Sequence, residues 1–256
     1  MLKINDWVNE QTQGKIKAVI SRLEPKSLAV LIDSVYFKGL WTDPFAKNAT
    51  KTGQFHVDKV TIKPLSMMAK EIEMPYYENS DFQAVCLNYG QASRTNSPDP
   101  MRFSAYVFLP LPEISLSKLE QELTISNFDQ WRSLFKTESG YLELPKFQID
   151  FATSLKPDLT RLGLGQIFTD PDFSKMASVS PRIDDVIHKS YLEIDEDGTK
   201  AAAVTAVIAK PEIATANYQF PSHFTMIVNR PFIFMIRDNQ TGAIIFLGSI
   251  YDPGTF

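Results

Sequence analysis

The sequence predicts an α+β fold dominated by large mixed and antiparallel β-sheets with a few flanking helices. Three observations lead there. Residues 28–40 form a nearly continuous run of apolar and β-branched side chains. The last third carries four strand-like segments, at 186–194, 224–228, 232–237 and 244–250. Helical spacing of apolar residues is confined to short stretches. At 256 residues, 44% of them hydrophobic and 22% charged, the chain is long enough to bury a sizeable core.

Taken in order, Ile4, Trp7 and Val8, then Ile16, Val19, Ile20 and Leu23, fall at helical spacing. Gly14 reads as the stop of a helix ending near Gln13, with a shorter helical turn up to Pro25. The 28–40 run suits a strand buried on both faces, with Asp33 as a polar interruption that needs a partner. Strands at 52–57 and 62–68 flank a polar turn, and Pro64 favours an edge position or a late start for the second. Strands at 82–88 and 102–109 pair as a hairpin around a polar insert at 90–100. Segments 116–123 and 128–135 are amphipathic helices, 141–150 is a strand, and 154–162 is a short helix ended by Gly163 and Gly165. Residues 238–242 turn between the last two strands.

Composition removes several function classes. A net charge of −4 and the lack of a basic stripe with interleaved aromatics argue against nucleic-acid binding. A single cysteine, Cys86, excludes an intrachain disulfide. No apolar run approaches the ~20 residues that span a membrane as a helix. Three histidines and one cysteine offer few catalytic sets. No nucleophile elbow, metal-spaced histidine pair or phosphate-binding glycine loop is present. The chain does not read as an enzyme, and no cofactor or metal is expected.

One stretch is odd. Residues 195–209 begin acidic, pass through Gly198, and continue with small and then β-branched residues. Few charges and no further glycine or proline follow for many positions, which is strand composition in a place where a loop is expected. The residues leave three readings open: an alanine-rich helix, an ordinary core strand, or a loop able to become a strand.

Five blocks, in order along the chain, resemble the serpin family. Ile4-Asn5-Asp6-Trp7-Val8 through Gly14-Lys15-Ile16 is similar to the family's helix F and the turn after it. Val35-Tyr36-Phe37-Lys38-Gly39-Leu40-Trp41 with Pro44-Phe45 resembles the end of the third strand of sheet A. Leu144-Pro145-Lys146-Phe147 resembles the sixth. His188-Lys189 and the run from Glu193 to Ala203 resemble the fifth strand and the reactive-loop hinge. Val228-Asn229-Arg230-Pro231-Phe232 with Phe246-Leu247-Gly248 resembles the C-terminal signature.

The resemblance implies a single serpin domain over 1–256, N-terminally truncated because the match starts at helix F, with an exposed reactive-centre loop at about 196–221. It implies a suicide-substrate inhibitor of a serine or cysteine protease, whose cleaved loop inserts into sheet A. The non-inhibitory carriers, chaperones and storage proteins of the family, or an inactive fragment, are the alternative. The hinge comprises Glu196, Gly198, Thr199, Ala201, Ala202 and Ala203, with Glu196 and Asp197 expected to stay in water. Thr199, Ala201, Ala203 and Thr205 share one face by the period of two. All four are small, as insertion between the strands near 30–37 and 186–194 requires. Family spacing places the scissile bond at Glu212–Ile213. Lys210 is followed by the obstructive Pro211, and Ile213, Ala214 and Ala216 suit an elastase-like protease, so the register stays open. Asp33 and His188 match shutter positions, with Asp33 in place of the usual asparagine, and Trp41 matches the breach. The resemblance favours a monomer when full length and an extracellular location, and leaves an intracellular one open. It implies no nucleic-acid or membrane partner.

Overall fold

A computed structural model describes residues 2–20, 29–90, 102–175, 183–199 and 224–254. In chain order the elements are α1 (Leu2–Gln11), β1 (Ala29–Tyr36), β2 (Gly39–Leu40), β3 (Lys51–His56), β4 (Ile62–Glu78), β5 (Phe82–Asn88) and β6 (Phe103–Pro110). There follow α2 (Leu116–Glu122), α3 (Ile125–Leu134), β7 (Lys136–Pro145), β8 (Phe147–Ser154), α4 (Lys156–Leu159) and α5 (Gln166–Thr169). The last are β9 (Ile183–Asp195), β10 (Gly198–Thr199), β11 (Phe224–Ile227), β12 (Phe232–Asp238) and β13 (Ile244–Ile250). The residues fall into two compact units, 1–37 with 149–192, and 38–148 with 193–256.

In the first unit β1 and β9 run parallel, in a register that sets Asp33 opposite His188 and Tyr36 opposite Tyr191. β8 pairs with β9. Val8 of α1, Ile16 and Tyr191 form a small core against Val19, Ile32 and Tyr36. The helix stops where expected: Gly14 adopts φ +82° and donates its N–H to Asn9 O. Beyond it the chain folds back without a helical turn through residue 20. Asn5 explains why, since its Oδ1 accepts from the N–H of Val19 and Ile20 while its Nδ2 donates to Ile20 O. The rest of the helical turn expected up to Pro25 lies outside the described residues.

Burial of β1 on both faces is not observed. Ile32 and Tyr36 face the α1 core, but Leu31, on the alternate face, is 49% exposed and Asp33 is exposed beside it. The short helix expected at 154–162 is α4 and the turn that continues it, broken at Gly163 with φ +92°, beyond which α5 begins.

The second unit carries an eight-stranded sheet in the order β11-β7-β4-β5-β6-β12-β13, with β3 attached to β4. Apart from the parallel pair β7–β11, its ladders are antiparallel. The expected hairpin is β5–β6, the expected final pair is β12–β13, and the strand at 62–68 continues to Glu78. Pro64 lies where β4 pairs with β3, before the β7 ladder starts at Met67, so its missing N–H costs little. The strand expected at 141–150 is split into β7 and β8 by Lys146, whose N–H turns to Ser66 O.

Alternation along β5, β6 and β12 puts Phe82, Ala84, Cys86, Tyr106, Phe108, Ile233 and Met235 on one face. Leu116 and Leu119 of α2 and Phe128 and Trp131 of α3 cover it. Both helices start on side-chain caps, Ser115 accepting from Lys118 N–H and Thr124 from Asn127 N–H. Opposite, Phe147 meets Phe232 and Phe234 edge-on at 5.6 and 5.3 Å. This double-sided packing makes the sheet of the second unit a rigid support for its loops.

Candidate functional site

The odd acidic stretch begins at the end of β9, in the second unit. The Asp195 carboxylate accepts from the N–H of Asp197 and Gly198 at 2.9 and 3.1 Å, closing a tight turn. Burial pushes its carboxyl above the ordinary range, against the downward pull of those two bonds. Gly198 stands at φ +139°, and a Cβ there would lie 2.2 Å from Gly39 O and 2.8 Å from Leu40 Cα. Only glycine fits.

After the turn the chain becomes a strand. Gly198 and Thr199 pair antiparallel with Asp195 and Ile194 of β9 on one side and with Leu40 and Gly39 of β2 on the other. The start of the predicted loop is thus already a central strand two residues long. Thr199 is 0% exposed. Its Oγ1 lies 2.9 Å from the Tyr89 hydroxyl, and the Tyr89 ring stacks on Trp41 at 4.3 Å. Trp41 donates its indole N–H to Asp195 O and its backbone N–H to Asp197 O, both at 3.0 Å.

The expectation that Glu196 keeps the hinge in water is not met. Glu196 is 6% exposed, accepts from the Thr50 hydroxyl at 2.7 Å, and pairs with Lys146 Nζ at 2.9 Å. Its backbone O accepts from Phe45 N–H. Burial pushes its carboxyl up, but the bonds from Lys146 and Thr50 outweigh this and hold it below the ordinary range. The reason is local: the acid sits over a cation at the β7–β8 break and has a hydroxyl beside it. Asp197 does stay at the surface, paired with Lys47 at 2.8 Å.

Of the residues singled out from sequence, Trp41, Glu196, Gly198 and Thr199 therefore come together. Ala201, Ala202, Ala203, Glu212 and Ile213 lie outside the described residues. Asp33 and His188 meet within the first unit, where Asp33 Oδ2 lies 2.8 Å from His188 Nδ1 and His188 Nε2 lies 2.8 Å from Ser190 Oγ. Asp33 remains 63% exposed. The sequence does not single out Tyr89, Lys146 and Thr50 as partners of Glu196 and Thr199. Lys146 belongs to a quoted block, but nothing in its neighbours announces Glu196 as its partner.

Among the described residues there is no cluster of metal-ligating side chains and no helix long and apolar enough to cross a membrane. The model of the serpin (serine protease inhibitor) family matches residues 1–253. A serpin-like protein of Thermococcus kodakarensis is 34% identical, over 98% of this chain and 56% of its own length. Serine proteinase inhibitor 1 of variola virus is 32% identical, over 98% and 65%. The structure of human thyroxine-binding globulin with thyroxine superposes with a TM-score of 0.83 at 25% identity, covering 98% of this chain and 63% of that one. The family match begins at residue 1, so it does not bear out the expectation of a C-terminal portion only. The chain nonetheless spans between 56% and 65% of the length of these two sequence relatives. With the family's model matched along nearly its entire length, the chain belongs to the serpin family.

Proposed function

We propose that the protein inhibits serine-type proteases as a suicide substrate, with residues 196–221 as its reactive loop. The single observation that carries this reading is the seating of Gly198 and Thr199 between β9 and β2. The chain leaving β9 reverses direction there, so any continuation runs antiparallel to β9. Because β1 is parallel to β9, a strand entering between them is antiparallel to both. One parallel ladder is exchanged for two antiparallel ones, the slightly more stable kind per residue. Residues 201–209 have the small and β-branched side chains this requires.

In the proposed reaction the protease serine attacks the carbonyl carbon of Glu212, the Ile213 nitrogen leaves carrying a proton, and an ester joins enzyme to inhibitor. Freed at that bond, the loop inserts and carries the protease along before water cleaves the ester. Serine proteinase inhibitor 1 of variola virus supports the protease-directed reading by its name. The test mixes the full-length protein with proteases preferring acidic or small apolar residues and runs denaturing gels. A covalent complex of inhibitor and protease is expected. Clean loop cleavage with active protease released would instead favour a carrier, as the thyroxine-bound structural neighbour exemplifies.

A further inference from the structure

We propose that the Tyr89 hydroxyl is a positioning group that keeps the hinge seated as the first two residues of a strand before any cleavage occurs. The role rests on the inhibitory reading above and deepens it. Tyr89 follows directly after β5 and is itself immobilised: its ring stacks on Trp41, it forms a β-bridge with Trp41, and its N–H donates to Phe103 O at 2.9 Å. Its hydroxyl meets Thr199 Oγ1 at 2.9 Å in a fully buried place, one hydroxyl donating and the other accepting. Burial raises the phenol far above its ordinary range, so this oxygen keeps its proton at any physiological pH. Thr199 is the second residue of β10, from which an inserting strand would continue, so the bond clamps the leading end of the chain that has to advance.

Starting a strand is the slow part of inserting one. The first residues lose backbone freedom before later rungs return hydrogen bonds. Gly198 and Thr199 already occupy rungs on both sides, and an inserted chain would keep those rungs. With them held, insertion after cleavage is propagation alone. Insertion competes with hydrolysis of the ester, so the grip on Thr199 sets how many inhibitor molecules are consumed per protease trapped.

Tyr89→Phe keeps the ring and its stack and removes the oxygen. Thr199→Val removes the partner hydroxyl at nearly constant shape. The first measurement is hydrogen exchange over residues 193–199 of the uncleaved protein, expected to accelerate about fivefold in either variant, the loss of one net hydrogen bond. The second is the number of inhibitor molecules used per trapped protease, expected to rise in both. The double variant, which leaves no buried hydroxyl without a partner, is expected to be no worse than either single one. Unchanged exchange overturns the proposal. Faster exchange with unchanged consumption, or a lower Tm with neither readout moved, reduces Tyr89 to ordinary packing and overturns it too. If the wild-type protein traps no protease, the inhibitory reading fails, while the exchange experiment still decides whether Tyr89 holds the hinge.

Discussion

The turn at Asp195–Thr199 and the strand pair β1–β9 are secured in opposite ways. The turn is bonded to three separate segments: the stretch 41–50 through Trp41, Phe45, Lys47 and Thr50, the end of β5 through Tyr89, and the β7–β8 break through Lys146. Most of it is buried. Where Asp33 meets His188, the two strands share a parallel ladder and a side-chain pair whose carboxylate is largely in water. Under the proposed mechanism the turn fixes where an inserting strand begins, while the exposed Asp33–His188 pair adds little to the β1–β9 ladder.

Five changes would break or sharpen that contrast. The largest effect is expected for Gly198→Val, which places a branched side chain against Gly39 O in a backbone region suited to glycine, at a cost of about 3 kcal/mol or more. Urea unfolding measures it. Lys146→Ala leaves the Glu196 carboxylate buried with Thr50 as its remaining side-chain partner, and is expected to cost about 2 kcal/mol by the same method.

The two acids of the turn should tilt the pH dependence of stability in opposite directions. The Glu196 carboxyl is held below its ordinary value of 4.5, so the unfolded chain binds more protons, and its stabilisation is lost as pH falls from about 4.5 through the folded value. Asp195 is raised above 3.8, so its contribution improves as pH falls through its folded value towards 3.8. Glu196→Gln is therefore expected to flatten the acid limb of a stability–pH curve, and Asp195→Asn to steepen it. Equal slopes in both variants would contradict the assignment of partners.

The smallest effect belongs to the β1–β9 pair. Asp33→Ala is expected to cost less than about 1 kcal/mol, the usual value of a water-exposed pair. A loss as large as that of Lys146→Ala would erase the distinction between the two regions.

How much of this was legible in the residues follows the same division. β5, β6, β12 and β13 were readable almost to their ends, because each is a short apolar run bounded by turn residues. The second half of β4 was not: Lys70, Glu71, Glu73 and Pro75 look unlike a strand, and its ladder exists because β7 and β5 are there to pair with it. β1 looked doubly buried because its apolar residues are continuous, and a sequence does not say which face finds a cover. At the hinge, Gly198 and Thr199 were identified through their resemblance to a family motif. Glu196 was misread as solvated because its cation stands fifty residues away at Lys146. Tyr89 gave no signal, since one tyrosine after an apolar strand is commonplace and its meaning comes only from Trp41 and Thr199 beside it.

Inhibition as proposed requires Gly198 and Thr199 to be the start of a strand that lengthens after cleavage. Thr199→Arg puts a long cation into a fully buried position on the inserting face. On a denaturing gel with a protease that cuts the wild-type loop, the full-length variant is expected to be cleaved with little or no covalent complex, while the wild type gives a stable one. Equal complex in both proteins would contradict insertion through Thr199.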